Sequence, residues 1–252
     1  MISKEKILKY LKITDIPEVI VFDEIDSTNS EAKRLKKDGV VIIANSQTAG
    51  RGRLGRSFYS PQNCGIYMSV VLEPDFLEDE CVFITTAASV LVLKAIERAT
   101  GKTPLIKWVN DLYLNNKKIC GILTEAVYDA KSEKIEHIII GIGINCFDFE
   151  LPDDISHIAG TLMGKDFSVS RERIIAEIIK EFQTISRVVK DKSFISEYKK
   201  KSMVLGKEIE VIGKGLATAI DIDQKGGLIV RYKNGEMYTL NSGEISIRLK
   251  ED

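Results

Sequence analysis

Glycines and arginines alternate in the segment Gly50–Arg56, which reads Gly-Arg-Gly-Arg-Leu-Gly-Arg. It lies in a polar stretch, residues 45–63, that follows the continuous apolar run Val40–Ala44. Glycine lets a backbone approach a ligand closely, and arginine offers a planar set of donors that matches carboxylate or phosphate. The sequence therefore predicts a buried strand followed by a loop that is suited to hold anions.

Three other interpretations fit this loop less well. The loop formally contains Gly-x-Gly-x-x-Gly, but a dinucleotide-binding turn requires a helix to open there, and Ser57–Pro61 does not resemble a helix start. A solvated surface turn accounts poorly for so dense a set of arginines. Gly-Arg segments that bind single-stranded RNA tend to repeat, and this one does not.

Composition limits the classes of function. The chain has 252 residues, 44% of them hydrophobic, and its formal net charge is −1, which argues against a general nucleic-acid coat protein. Four cysteines without a Cys-x-x-Cys pair, and only two histidines, disfavour zinc sites and a disulfide framework. No apolar stretch is long enough to cross a bilayer and no signal-peptide core is present, so we expect a soluble, cytoplasmic protein without a membrane partner.

Hydrophobic periodicity predicts alternating strands and helices. Thr28 and Glu31 have the spacing of a capping box, which places Ser27–Asn29 at a helix N-terminus, and Gly39 fits the end of that helix. Asn115–Lys117 predicts a hairpin turn. The expected strands are Val19–Phe22, Val40–Ala44, Ile66–Leu72, Leu112–Leu114, Lys118–Ala126 and Ile135–Ile144, and the expected helices are Ser3–Leu11, Ser30–Lys37, Cys81–Thr100, Arg171–Val189 and Phe194–Lys201.

The residue pattern changes after Lys201, from helix-like to strand-like segments. Five short β-like pieces punctuated by Gly, Asp and Asn lie within Leu205–Leu249. They predict a small all-β barrel near the lower size limit of a domain. We therefore expect two domains, residues 1–201 and 202–252.

Further polar residues are candidates for a site. Asn110 and Asp111 carry oxygens of the kind that Mg²⁺ accepts beside phosphates, although an Asn-Asp pair alone is more often a turn. Lys118 precedes an apolar strand and either reaches solvent or neutralises a phosphate. Gly141 and Gly143 permit close approach at a strand end, and Asn145 is either a turn residue or a ligand contact.

In this order the segments resemble the biotin protein ligase family. The resemblance covers nearly the whole chain and implies an α+β fold: a mixed β-sheet backed by helices, as in class II synthetase-like biotin ligases, and then a small SH3-like barrel. Two positions depart from the family pattern, Val109 for a common proline and Phe58 for a common tryptophan. The matching segments are Asp26–Asn29, Gln47–Arg56, Lys107–Leu112, Lys118–Glu125, Gly141–Asn145, Leu205-Gly206 and Ser242–Glu244.

The resemblance also implies the chemistry. Biotin and MgATP would give biotinyl-5′-AMP, and a lysine of a biotin carboxyl carrier protein would then receive the biotin. Lys118, Asp111 and Arg53 would be catalytic, with Asp111 a possible Mg²⁺ contact. The implied biotin contacts are Ser27, Thr28, Asn29, Gln47, Gly50, Arg51, Gly52, Arg53, Lys118, Gly121 and Ile122, and the implied ATP contacts are Arg51, Arg53, Arg56, Phe58, Asn110, Asp111, Lys118 and Asn145.

Three further expectations concern partners. About 25 residues precede Ser27, fewer than the ~50 of a small domain, so we expect no helix-turn-helix and no sequence-specific DNA binding. The family resemblance implies a homodimer as the default state. A lipoate ligase on a similar core and an RNA-binding module remain the alternative functions.

Overall fold

The computed structural model describes residues 1–74, 83–129, 131–132 and 134–241, and the backbone of 247–249. Within them lie a seven-stranded mixed sheet and a separate five-stranded antiparallel sheet. Helices back the larger sheet. The predicted α+β class, with a mixed sheet followed by a small β unit, is confirmed.

The large sheet has the strand order β1-β2-β3-β7-β6-β5-β4. The first two strands run parallel, and the remaining neighbours pair antiparallel. The longest pairing joins β6 to β7, which lie near the centre of the sheet. The strands are β1 Val19–Ile25, β2 Val41–Gln47, β3 Gly65–Leu72, β4 Leu105–Lys107, β5 Asp111–Leu114, β6 Lys117–Tyr128 and β7 Ile135–Asn145.

The two faces of this sheet bury different side chains because successive residues of a strand point to opposite sides. Ile138 and Ile140 join the main core, which lies under α1, α3 and α5. Ile139 faces the other way and packs with Ala32 of α2 in a smaller core. The helices are α1 Lys4–Tyr10, α2 Thr28–Leu35, α3 Ile84–Thr100, α4 Asp153–Ser156, α5 Arg171–Phe182, α6 Ile185–Asp191 and α7 Phe194–Lys201.

Most predicted elements are present, and the differences are local. The capping-box prediction is wrong, because Ser27 is the N-cap and the Thr28 side chain contacts Gln47 instead. The same helix ends at Lys36 in the left-handed conformation rather than at Gly39. The predicted helix Arg171–Val189 is two helices, α5 and α6. Strand β4 and helix α4 were not predicted.

Three cysteines of the described chain have free thiols: Cys120 and Cys146 are buried and Cys64 is partly buried. Burial raises the pKa of the Cys146 thiol to about 12. The fourth, Cys81, and the family segment Ser242–Glu244 lie outside the described residues. Within the described ranges no helix is both long and apolar enough to cross a membrane.

The small sheet has the order β11-β10-β9-β8-β12 and packs against the rest of the chain. The indole Nε1 of Trp108 donates to the Gly226 carbonyl at 3.0 Å, and Lys199 pairs with Asp221 at 2.8 Å. Trp108 is only 4% exposed and belongs to the main core. The boundary at 201/202 falls between α7 and β8 and stays a prediction. The strands are β8 Glu208–Val211, β9 Gly215–Ile222, β10 Leu228–Tyr232, β11 Met237–Leu240 and β12 Ile247–Leu249.

Replacing Trp108 by Phe should weaken the contact between the two sheets. The change removes the hydrogen bond to Gly226 and part of a buried ring, so we expect a loss of about 1–3 kcal/mol in the free energy of unfolding. Urea unfolding followed by circular dichroism measures this loss. Tryptophan fluorescence cannot be used, because Trp108 is the only tryptophan and the variant lacks it. An unchanged midpoint and slope would contradict this packing.

Candidate active site

A cavity of about 1610 Å³ opens on the face of the large sheet that carries α2. It also borders the arginine-rich loop Gly50–Arg56, the hairpin of β5 and β6, and the start of the small sheet. Most of the residues predicted from the sequence converge on it, although they are spread over four separate segments. Those lining it are Thr28, Asn29, Gln47, Arg51, Gly52, Arg53, Arg56, Phe58, Asn110, Asp111, Lys118, Gly121 and Ile122.

Three predicted residues do not line this cavity. Ser27 is buried at the N-cap of α2. Gly50 faces inward, where an added Cβ would lie 2.4 Å from the Phe58 carbonyl oxygen. Asn145 turns its amide away and donates to the Gly160 carbonyl at 3.2 Å. Ligand contacts by these three residues therefore stay predictions.

One end of the cavity carries a network of hydroxyl and amide groups. The Gln47 Oε1 accepts from the Thr28 backbone N–H at 2.8 Å, and its Nε2 donates to Ser60 at 2.9 Å. The Ser69 hydroxyl lies 2.8 Å from the Thr28 Oγ1 and 2.6 Å from the Asn29 Oδ1. These groups are held in fixed orientations and can both donate and accept hydrogen bonds. Sequence reasoning missed Ser69, a small polar residue in a mostly apolar strand.

Two glycines of β7 allow neighbouring side chains to lie directly on the sheet. A Cβ on Gly141 would meet the Asn29 Oδ1 at 2.2 Å, and one on Gly143 would meet the Phe58 ring at 2.6 Å. Both positions are on the face that carries Ile139, because they follow it at intervals of two. The expectation that these glycines permit close approach is confirmed, and what approaches them is Asn29 and Phe58.

The arginine-rich loop folds back on itself. Gly52 N donates to the Arg56 carbonyl at 2.7 Å, and Phe58 N donates to the Gly50 carbonyl at 2.9 Å. A single 3₁₀ turn, Arg53–Gly55, forms the tip, with Leu54 at φ 55°. The chain then runs through irregular backbone to β3 with no helix after the loop, so the dinucleotide-turn interpretation is excluded for these described residues.

Arg53 reaches from the loop to the β4–β5 connection. Its Nη1 donates to the Asn110 Oδ1 at 3.0 Å, and the Asn110 Nδ2 donates to the Ile122 carbonyl at 2.8 Å. Burial lowers the pKa of the Arg53 guanidinium, and the nearby Asp111 carboxylate opposes that shift. The guanidinium still keeps its proton at neutral pH. Asn110 therefore acts here as a link between the loop and β6.

Lys118 and Asp111 meet across the β5–β6 hairpin. The Lys118 Nζ lies 2.7 Å from the Asp111 Oδ1, and both side chains are partly exposed to the cavity. The turn Asn115-Asn116, with φ values of 51° and 59°, fixes this pairing. The hairpin prediction is confirmed, and it explains why a lysine and an aspartate seven residues apart form one pair.

The side chains that line the cavity carry more positive than negative charge. The six cationic lining residues outnumber the two carboxylates, so the cavity favours a ligand with several negative charges. Lys207, Glu208, Met203 and Ile212 come from the small sheet and the chain leading into it. Sequence reasoning missed them, because no local pattern shows which face of a barrel meets another domain. The cations are Arg51, Arg53, Arg56, Lys107, Lys118 and Lys207, and the carboxylates are Asp111 and Glu208.

Comparison with known proteins identifies the class first. A family model described as the biotin/lipoate A/B protein ligase family matches residues 21–145, and one described as the biotin protein ligase C terminal domain matches residues 204–248. Together these two matches cover both sheets.

Individual relatives and solved structures point to the biotin ligases within this class. A solved structure of biotin protein ligase from Aquifex aeolicus in complex with biotin and ATP has 30% identity and a TM-score of 0.80, covering 92% of this chain and 99% of that one. The bifunctional ligase/repressor BirA of Bacillus subtilis is 36% identical over 172 residues, 66% of this chain and 52% of the relative. BirA of Escherichia coli is 27% identical, covering 92% of this chain and 75% of the relative.

The chain therefore belongs to the biotin protein ligase family, as its motifs led us to expect. The match spans about half the length of the Bacillus relatives. The biotin–[acetyl-CoA-carboxylase] ligase of Mycobacterium tuberculosis is a further relative, 27% identical over 82% of this chain and 79% of its own length.

Gly141→Ala tests the close contact at the polar end of the cavity. The new methyl group would collide with Asn29, so we expect a loss of about 1–3 kcal/mol in the free energy of unfolding. Gly121→Ala is the matched control, because its Cβ would meet its nearest atoms, on Lys118, at an ordinary 3.4 Å. Chemical denaturation of both variants measures the difference, and equal stability would refute the packing described.

Proposed function

We propose that this protein joins biotin to a lysine of a biotin carboxyl carrier protein at the expense of ATP. In the first half-reaction an oxygen of the biotin carboxylate bonds to the α-phosphorus of ATP, and the bond to the pyrophosphate leaving group breaks. In the second, the carrier lysine bonds to the acyl carbon of biotinyl-5′-AMP, loses a proton and releases AMP. Family membership and the shape of the cavity support this proposal.

A single feature of the cavity carries the proposal: its lining combines a polar hydrogen-bonded end, apolar side chains and a surplus of cations. The Thr28, Asn29 and Gln47 end suits a ureido group, which both donates and accepts hydrogen bonds. Apolar lining from Met68 and Leu123 suits the rest of a small acid. The cationic region suits a carboxylate beside a triphosphate.

Lys118 is the residue we assign to the reacting phosphate. Its ammonium group is a compact charge that can stay close to an oxygen whose negative charge grows in the transition state. Asp111, 2.7 Å away, holds the Lys118 ammonium group at the cavity wall. Arg51, Arg53 and Arg56 would contact the carboxylate and phosphates from the loop side and shield the adenylate from water.

Mg²⁺ would enter with ATP rather than occupy a site made by the protein alone. Within the described chain no group of three His, Cys, Asp or Glu residues is placed to hold a metal ion. Asn110 already uses its oxygen for Arg53. Of the two carboxylates that line the cavity, Asp111 and Glu208, we propose Asp111 as the Mg²⁺ contact because it lies beside Lys118. Phosphate oxygens and water would supply most ligands, as is usual for Mg²⁺, and the ion would offset the triphosphate charge.

A lipoate ligase is the second candidate, because the matching family model covers both activities. The match of residues 204–248 to the biotin ligase C-terminal domain favours biotin. Incubation with [α-³²P]ATP and either biotin or lipoate, followed by chromatography, separates the two. We expect a labelled adenylate with biotin; one with lipoate alone would overturn the proposal.

Lys118→Ala should slow formation of the adenylate far more than it weakens biotin binding. Because the contact is strongest in the transition state, the expected loss in turnover is about 10²–10³-fold. Single-turnover assays and calorimetric titration with biotin measure the two effects. Lys9→Ala, an exposed lysine on α1, is the control for lost charge. Unchanged turnover in Lys118→Ala would refute the assigned role.

Arg53→Ala should let the adenylate escape. Loss of the hydrogen bond to Asn110 removes one attachment of the loop to the sheet, and an open loop admits water. The measurement is release of free biotinyl-AMP per enzyme when no carrier is present. The variant should release it about tenfold faster, which corresponds to one charged hydrogen bond; an unchanged rate would contradict shielding by the loop.

Three expectations remain predictions. We propose that the protein acts in the cytoplasm, as a homodimer, without sequence-specific DNA binding. A gel shift with a biotin-operon promoter tests the last one, and a specific, salt-resistant complex would overturn it. Ultracentrifugation with and without biotin and ATP tests the dimer.

A further inference from the structure

Glu125 is a carboxylate on the site face of β6, and the proposed reaction does not use it. Its side chain is only 17% exposed, and three other polar side chains converge on it. The Asn29 Nδ2 donates to its Oε2 at 2.8 Å, the Lys33 Nζ lies 2.7 Å from its Oε1, and the Arg51 Nη2 lies 3.5 Å from the same oxygen. We call these four residues the Glu125 cluster.

The cluster joins two segments that are far apart in sequence. Asn29 and Lys33 are four residues apart on α2 and therefore reach Glu125 from one face of that helix. Arg51 comes from the arginine-rich loop on the other side. One carboxylate thus attaches both the polar end of the cavity and the loop to strand β6.

The three contacts differ in length and exposure. Asn29 and Lys33 make short contacts, whereas the Arg51 contact is 3.5 Å long and its side chain is 49% exposed. Burial acts to raise the pKa of the Glu125 carboxyl, but the hydrogen bonds from Lys33 and Asn29 and the nearby charges lower it below its usual value. Glu125 therefore stays anionic at neutral pH, and the long Arg51 contact leaves that guanidinium free to turn toward another anion.

A second, smaller cavity beside the arginine-rich loop makes the Arg51–Glu125 contact important for the position of the loop. This cavity has a volume of about 300 Å³ and lies between the loop and the residues Thr85, Val109 and Thr124. The loop therefore lacks tight packing on that side. Charged contacts such as Arg51–Glu125 and Arg53–Asn110 then contribute more to its position.

We propose that Glu125 is a positioning residue that fixes the Asn29 amide for the acid and holds the arginine-rich loop near the cavity through Arg51. When the cavity contains the acid and the nucleotide, Arg51 exchanges Glu125 for their negative charges. The position of the loop can be tested whether or not the protein is an active ligase. The expected effect on release of the adenylate rests on the proposed function.

Limited trypsin digestion of the ligand-free protein tests the loop position directly. Glu125→Gln keeps an oxygen that accepts from Asn29 but loses the charge that attracts Arg51 and Lys33. Cleavage after Arg53 and Arg56, followed by mass spectrometry, should become about two- to fivefold faster, which corresponds to the loss of one half-exposed ion pair. Glu125→Asp, which keeps the charge, should restore part of the protection.

A matched control and a double variant exclude a general loss of structure. Glu31→Gln removes a carboxylate that pairs with Arg34 on the same helix, and cleavage should not change. Arg51→Gln should speed cleavage to the same extent as Glu125→Gln, and the double variant should add nothing. Equal cleavage of Glu125→Gln and wild type, or fully additive effects, would overturn the proposal.

Adenylate assays then extend the test to the reaction. The biotin KM of Glu125→Gln should rise and release of free adenylate should quicken, with a smaller change in kcat. If wild-type protein makes no biotinyl-AMP, the proposed function fails while the digestion result still stands. If wild type is active and Glu125→Gln matches it in KM and release, the positioning role is wrong.

Discussion

Three glycines in the β6–β7 ladder, which have no side chains, leave the space in which this site forms. Gly121 pairs with Gly143 across the two strands, and Gly141 lies one step along the same face. At Gly141 and Gly143 the vacant space is occupied by Asn29 and by the Phe58 ring, each closer than a Cβ would allow. The helix α2 and the arginine-rich loop can therefore both reach the sheet, and the cavity forms between them.

The charges around this cavity follow a consistent pattern. Arg53 and Lys118 each have a partner on the β5 side of the site, Asn110 and Asp111. Arg51 has its partner on β6, at Glu125. These contacts hold the cations in place without neutralising all of them, so a positive surplus remains, which suits the carboxylate and triphosphate of the proposed reaction. A preorganised set of donors of this kind costs less to align during the reaction than a mobile one.

Much of the fold and of the arginine-rich loop could be predicted from the sequence, because the patterns that indicate them span only a few neighbouring residues. The hairpin at Asn115-Asn116, the Gly-Arg loop and the β-rich C-terminal segment each follow from residue preferences over a few positions. The loss of the capping box had another cause: Thr28 contacts Gln47, nineteen residues away, and a tertiary contact outweighed a local preference.

Residues that depend on long-range placement could not be found in this way. Ser69 lies in a mostly apolar strand and Glu125 in a strand of mixed composition, and neither local pattern marks a site. Their contacts with Asn29 form only when α2 lies across the sheet. The contributions of Lys207 and Glu208 depend on how the small sheet packs against the large one, which Trp108 helps to fix. Asn145, which the sequence left as either a turn residue or a ligand contact, donates to the Gly160 carbonyl, a contact that becomes visible only in the folded chain.

We propose that one cavity activates biotin and passes it to a protein lysine. Incubation of the wild-type protein with biotin, MgATP and a biotin carboxyl carrier fragment, followed by intact-mass analysis of the fragment, tests this. We expect a mass increase of one biotinyl group on a single lysine, only when both biotin and ATP are present. An unmodified fragment, under conditions in which another biotin ligase modifies it, would refute the proposal.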